Sequence, residues 1–289
     1  MNAIAQAFEQ LPGVGRGIYA PADFEAVRDI IYDAAGIVLP PGKAMLVYSR
    51  LAPLVRSTGC GTFSAYVTKI VNDEEERHRA ICALTTNHTF FFREAHHFEH
   101  LGAEIRPRLL KRAGNGEAVR IWSAGCSSGE ETWSIVMTLL GANRATAKQL
   151  AEQDLLVLAS DLADHALAAA RAATYRVDAL EAVPKELRQA WIVEQGDKAV
   201  IADEARALVR FKALNLLDNW PMRQSFDVIF CRNVMIYFDQ PTKERLIERF
   251  ARQLVPGGHL YIGHSERVTG PAADMLTPVG PTIYRKGAA

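Results

Sequence analysis

No C-x-x-C pair occurs in the chain, and its four cysteines, Cys60, Cys82, Cys126 and Cys231, lie far apart. That spacing excludes a disulfide framework or a cysteine-built zinc site and suits reduced thiols. Net charge is absent as well, because 33 basic and 33 acidic residues cancel. No global field therefore draws the chain to nucleic acid or to an anionic membrane. Long apolar runs are missing, and no basic-then-apolar leader opens the sequence. Membrane insertion is not expected, and a cytoplasmic location is. The G-x-G-x-x-G spacing of a dinucleotide loop, the H-E-x-x-H of a zinc protease and internal repeats are all lacking.

What is present fills 289 residues, enough for two domains. Residues 1–20, with Pro12 and the clustered Gly13, Gly15 and Gly17, read as a flexible tail. From Phe24 the pattern turns helical. Phe24, Val27, Ile30, Ile31 and Ala34 share a face, Asp23 can cap and Gly36 can terminate. Further helices fit Lys43 to Arg56, which Pro53 should kink or restart, and Phe63 to Val71 behind a Thr62 cap. Another fits Glu74 to Leu84, with three glutamates at its positive end. Residues 21–90 thus read as a small all-helical domain. Between Ala22 and Phe90 seven Lys or Arg face eight Asp or Glu, a net of −1, which does not support nucleic-acid binding.

Residues 91–289 read differently. Val119 to Trp122 is a buried strand, Gly125 to Gly129 a glycine-containing turn, and Glu130 to Leu140 a helix, the opening unit of a doubly wound sheet. The acids Glu130 and Glu131 at that helix start repel a phosphate but suit a ribose hydroxyl or a cation. Leu155 to Ala159 is a second parallel strand, ending at Asp161, where an acid commonly holds a ribose diol. Lys198 to Ile201 and Leu208 to Leu214 read as strands around an acidic turn, Asp203-Glu204, within a small β-subdomain over residues 187–213. Phe226 to Cys231 is a further buried strand that delivers Arg232, Asn233 and Tyr237 to the carboxyl edge. A helix over Gln240 to Leu254, a Pro256-Gly257-Gly258 turn, a strand over His259 to Gly263 and a closing hairpin over Pro278 to Arg285 complete the pattern. Before the first strand, T-T-N-H-T-F-F-F-R ends in Arg93, a guanidinium that needs a carboxylate partner. His96 and His100 are spaced as helical metal ligands, but no third ligand is marked and no metal is expected.

Several of these stretches, in this order, resemble the CheR-type methyltransferases, which methylate glutamates of bacterial chemoreceptors. They are T-T-N-H-T-F-F-F-R-E-A-H-H-F, W-S-A-G-C-S-S-G-E-E, A-S-D, L-N-L-L, F-D-V-I-F-C-R-N-V-M-I-Y-F-D and G-H-S-E. The resemblance implies an α/β fold: a Rossmann-like class I methyltransferase domain with a small β-subdomain, preceded by an all-helical N-terminal domain. It implies S-adenosyl-L-methionine as methyl donor and S-adenosyl-L-homocysteine as product. By position, Asn87, Thr89 and Arg93 should contact the cofactor, and Glu131 and Asp161 should flank it. Asn215 and Leu216 should hold its adenine, Arg232 and Asn233 should lie beside its methionine part, Tyr237 should lie near the transferred methyl, and Arg93 and Tyr237 should act as positioning groups. Lys43, Arg50 and Arg56 match the basic helix that meets the receptor's methylation helices in the cytoplasmic bundle. Ala52, Pro53 and Leu54 depart from it.

The region that docks a receptor-tail pentapeptide in some relatives has the single glycine Gly196 here and an acidic turn, so no pentapeptide docking is expected. Competing readings are a module that senses the cofactor or scaffolds receptors without turnover, and a methyltransferase for another substrate. No Ser-His-Asp or paired-carboxylate machinery is evident. A glutamate with a reference pKa of about 4.3 needs none, since it is already an anion at neutral pH.

Overall fold

The computed structural model describes residue 8, residue 15 and residues 17–287. These form two compact units, Met1–Thr86 with Tyr237–Asp239, and Asn87–Ile236 with Gln240–Ala289.

The first unit is built from α1 (Pro21–Ala35), α2 (Ala44–Ser57), α3 (Phe63–Asn72) and α4 (Glu74–Leu84). Three of the four starts are chemically marked. Pro21 opens α1, and Asp23 reaches back to accept from the Ala20 N–H at 2.8 Å. Thr62 and Asp73 cap α3 and α4 by accepting from Ala65 and Glu76. Pro53 does not restart its helix: α2 runs through it, because Pro53 lies on the exposed flank, where the carbonyl it leaves without a donor can be hydrated. The tail expected over residues 1–20 lies mostly outside the described residues. Tyr19 at its end is 1% exposed, its ring 4.4 Å from that of Phe63, and its hydroxyl donates to the Ala44 carbonyl.

The second unit opens with α5 (His96–His100), a π-turn over Leu101–Ile105 and α6 (Arg106–Gly114). Pro107, lacking an N–H, cannot continue the ordinary ladder, and Arg106 donates instead to Leu101 five residues back. Then come β1 (Val119–Ala124), α7 (Glu130–Leu140), α8 (Arg144–Ala151), β2 (Leu155–Asp161), α9 (Asp164–Ala172), β3 (Thr174–Arg176), α10 (Lys185–Trp191), β4 (Ile192–Gln195) and β5 (Lys198–Ile201). The chain continues through α11 (Asp203–Arg206), β6 (Val209–Ala213), β7 (Phe226–Cys231), α12 (Gln240–Gln253), β8 (Leu254–Ile262), β9 (Leu276–Gly280) and β10 (Ile283–Lys286).

Seven strands form one sheet in the order β6-β2-β1-β7-β8-β10-β9, parallel except for β10. Order reverses between β1 and β7, which makes their carboxyl ends the switch point where such sheets bind ligands. Both faces of β1 are covered. Val119 and Ile121 join the core that holds Trp133 and Ile135, whereas Trp122 packs against Trp220, Phe226 and Phe250.

The small sheet has the order β3-β5-β4. Several expectations are corrected here. The strand expected at Leu208 to Leu214 is not part of the subdomain, since β6 pairs in parallel with β2 in the main sheet. The third subdomain strand is instead β3, three residues too short to show a pattern, entered through the left-handed Ala173. The acidic turn at Asp203-Glu204 is one turn of helix, with both acids at its positive end. The Pro256-Gly257-Gly258 turn is a register irregularity inside β8.

Candidate active site

The turn that leaves β1 uses its own amides. Gly125 and Cys126 N–H both donate to the Ser160 carbonyl, Gly129 N–H to the Cys126 carbonyl, and Ser127 N–H to Asp161 Oδ2 at 2.7 Å. A pyrophosphate loop leaves such amides for its ligand; this one gives them to strand β2 and a carboxylate. Asp161 also accepts from the Ala163 N–H at 2.9 Å, and burial pushes its pKa up against these bonds. Glu130 accepts from the Ser128 hydroxyl at 2.7 Å.

Glu131 turns inward. It accepts from the Ser123 hydroxyl at 2.7 Å and from Arg232 Nη1 at 3.2 Å. Arg232, 6% exposed, also donates to the Arg93 carbonyl, lies 3.5 Å from Glu94 and stacks over Phe98. Its Nε has no partner among the described residues. The next residue, Asn233, holds a left-handed φ of 59° and gives its N–H to Glu266 Oε2, which also accepts from the Gly263 N–H at 2.6 Å. A Cβ on Gly263 would lie 2.5 Å from Asn233 Nδ2, and one on Gly125 would lie 2.4 Å from Val234. Only glycine permits these two approaches. Four of the six described non-glycine residues with positive φ, Phe92, Glu94, Ser127 and Asn233, belong to these turns. Such conformations cluster where geometry matters more than local energy.

The structure therefore brings Asn87, Glu131, Asp161, Arg232 and Asn233 to one sheet edge. The Asn87 carbonyl accepts from the Ser127 hydroxyl and its amide meets His165 at 2.9 Å; Thr89 follows on the same segment. Asn215 closes a turn after β6, accepting from the Leu217 N–H at 3.1 Å, with Leu216 buried beside it. Arg93 differs from expectation: no carboxylate lies within ion-pair distance among the described residues. Its guanidinium donates to the His88 carbonyl at 3.0 Å and lies over the Phe90 ring.

Glu94, His96 and His97 each bring one ligand atom within 4.8 Å of the others, but His96 Nε2 meets the Pro281 carbonyl and His97 Nε2 the Thr282 hydroxyl. Glu94, Glu266 and Ser123 were not foreseen as site groups. Each lies in one of the quoted stretches, Glu94 after T-T-N-H-T-F-F-F-R, Ser123 in W-S-A-G and Glu266 in G-H-S-E, and that was the signal available. The remaining candidates lie in the first unit. Lys43 and Arg56 are exposed, Arg50 donates to the Ala83 and Thr85 carbonyls, and the Tyr237 carbonyl accepts from the Val38 N–H at 2.8 Å.

An edge rich in carboxylates, with four of its loop amides already bonded, fits a ligand that carries a ribose and a cation and no phosphate. S-adenosylmethionine meets that description, and a nicotinamide dinucleotide does not. The fold and edge are those of a class I S-adenosylmethionine-dependent methyltransferase. The family model described as the CheR methyltransferase SAM binding domain matches residues 87–284, and the one for the CheR methyltransferase all-alpha domain matches residues 22–85. A probable chemotaxis protein methyltransferase of Rhizobium etli is 45% identical over 89% of this chain and 96% of its own length. Chemotaxis protein methyltransferase 2 of Pseudomonas aeruginosa is 40% identical over 92% and 93%, and the chemotaxis protein methyltransferase of Escherichia coli 39% over 91% and 90%. The chain belongs to the CheR methyltransferase family, and S-adenosylmethionine is its cofactor. No helix among the described residues is long and apolar enough to cross a membrane.

Proposed function

We propose that the chain methylates glutamate side chains in the cytoplasmic helical bundle of chemoreceptors, forming methyl esters. The observation that carries this is Arg93: a guanidinium fixed by the His88 carbonyl and the Phe90 ring, with no carboxylate of its own among the described residues. Such a group is ready to receive an anionic side chain.

The cofactor supplies an electrophilic methyl group on a sulfonium. Asp161 holds the ribose side, and Asn215 and Leu216 the adenine side. Glu131 and Glu94 pair with Arg232 and orient it, so that Arg232 and Asn233 border the methionine part. Arg93 and Tyr237 align the substrate carboxylate for in-line attack. No residue removes a proton, because the substrate is already ionised. Alignment in a site shielded from water then contributes most of the rate.

Receptor recognition is assigned to the exposed Lys43 and Arg56, with Arg50 bracing the end of α4. Docking of a receptor-tail pentapeptide on the small sheet is not part of this reading. The β4–β5 turn carries the single Gly196, and Glu194 on the β4 edge is tied to Arg188 at 2.6 Å. Micromolar binding of such a peptide in a titration would overturn that point.

Tyr237→Phe tests the catalytic assignment. Turnover at saturating cofactor should fall by at least about tenfold while cofactor affinity stays within about twofold. Normal turnover with weakened affinity would remove Tyr237 from the methyl-transfer step.

A further inference from the structure

The loop between β6 and β7 is held from outside by a residue that sequence position does not connect to it. Arg249, in the last turns of α12, donates Nη1 to the Leu216 carbonyl at 2.8 Å and to the Leu217 carbonyl at 3.2 Å, and Nη2 to the Asp218 carbonyl. The Trp220 indole N–H donates to the same Leu216 carbonyl at 3.1 Å. The Arg249 guanidinium lies 4.1 Å from the centroid of the Trp220 ring. Trp220 is itself wedged against Trp122 of β1 at 4.7 Å and Phe250 of α12 at 5.1 Å. Three successive carbonyls are thus gathered by one planar fork, and the Leu216 carbonyl has both lone pairs engaged.

We infer that Arg249 and Trp220 form a clamp that sets the purine specificity of the cofactor site. The inference rests on the reading that Asn215 and Leu216 hold the adenine. A carbonyl with two fixed donors cannot swing, so the peptide planes on either side of Leu216 are fixed as well. Asn215 closes the same turn from inside, through the Leu217 N–H and the Asp218 carboxylate. Fixed peptide planes present donors and acceptors in one pattern. Adenine offers an amino donor beside a ring acceptor, and hypoxanthine reverses both. A rigid loop distinguishes the two, whereas a loose loop adapts to either. Arg249 touches no part of the ligand in this account and is a positioning residue.

The test compares S-adenosylhomocysteine with S-inosylhomocysteine by calorimetry on the full chain. The unaltered protein should prefer the adenine form by about a hundredfold. Arg249→Lys keeps the charge and removes the fork. It should weaken the adenine form about tenfold, change the inosine form less than about twofold, and leave turnover at saturating cofactor within about twofold. Trp220→Phe, which keeps the ring and loses one donor, should shift the same ratio about threefold and serves if the arginine variant does not fold. Equal weakening of both ligands, or a lower melting temperature with an unchanged ratio, would mean a structural role only and would overturn the clamp. Asn215→Ala separates the two readings. If it leaves the ratio unchanged, the adenine assignment fails and the clamp with it. If it shifts the ratio while Arg249→Lys does not, the clamp alone fails.

Discussion

The two ends of one sheet bury carboxylates in different ways. At the amino end of β7, Asp227 is 5% exposed and accepts from Arg112 Nη1 and from the Arg120 N–H at 2.9 Å. Its charge is answered by an arginine, and its bonds tie α6 to the sheet. At the carboxyl end, Asp161 is 8% exposed and accepts from backbone N–H groups, among them those of Ser127 and Ala163. Glu266 does the same for Gly263 and Asn233. Equal burial therefore hides different work. An acid paired with a cation fastens elements together. An acid that holds a turn has backbone amides for partners and no arginine, and at the switch point Asp161 is proposed to lie beside the ribose of the cofactor.

The sharpest way to break this comparison is to neutralise both acids in turn. Asp227→Asn leaves Arg112 without its buried partner and should lower stability by about 2–4 kcal/mol, read as a fall in the denaturation midpoint, with cofactor affinity nearly unchanged. Asp161→Asn should do the reverse. An amide cannot accept at both the Ser127 and Ala163 N–H groups, so the β1 turn shifts and cofactor affinity should fall about tenfold to a hundredfold in calorimetry. If the two variants behave alike, the distinction between the sheet ends is wrong.

Arg93 extends the comparison to substrate. Arg93→Lys keeps the charge but loses the planar fork and should raise the receptor KM or lower turnover about fivefold to tenfold, leaving the cofactor dissociation constant within about twofold. A change confined to cofactor affinity would reassign it.

His259 supplies the smallest effect. It is 4% exposed, and burial, then repulsion from His100, Arg108 and Arg285, holds its pKa down at about 4. The folded chain keeps it neutral, whereas the unfolded chain protonates it near pH 6.5. Its contribution is therefore fully present above pH 6.5 and is lost as pH falls toward 4. His259→Gln should flatten the acid side of the stability curve by up to about 1.4 kcal/mol per pH unit and leave cofactor binding unchanged.

Strand ends were legible in the sequence because apolar runs stop abruptly at Asp161 and Arg232, and direction along a parallel strand tells which end faces the ligand. Helix starts were legible from Thr62 and the Glu74–Glu76 run. What stayed hidden is long-range. Arg249 reads as one more cation on an amphipathic helix, yet it binds carbonyls more than thirty residues earlier. Glu266 reads as a polar residue after a strand, and only packing brings it under Asn233. Which sheet a strand joins is also not written in its pattern, so the sequence alone does not separate β6 from the subdomain, and three-residue β3 carries no pattern at all. Arg93 was expected to seek a carboxylate because local sequence cannot show that a carbonyl and an aromatic ring suffice to hold it.

The central claim is that this edge transfers a methyl group to an already ionised glutamate. The direct measurement is incubation of the chain with methyl-labelled S-adenosylmethionine and receptor cytoplasmic fragments, followed by mild base. The account predicts label on the receptor fragment, released as methanol by base and lost when the modified glutamates are changed to alanine. Label that survives base, or no label on any fragment while the cofactor binds normally, would contradict it.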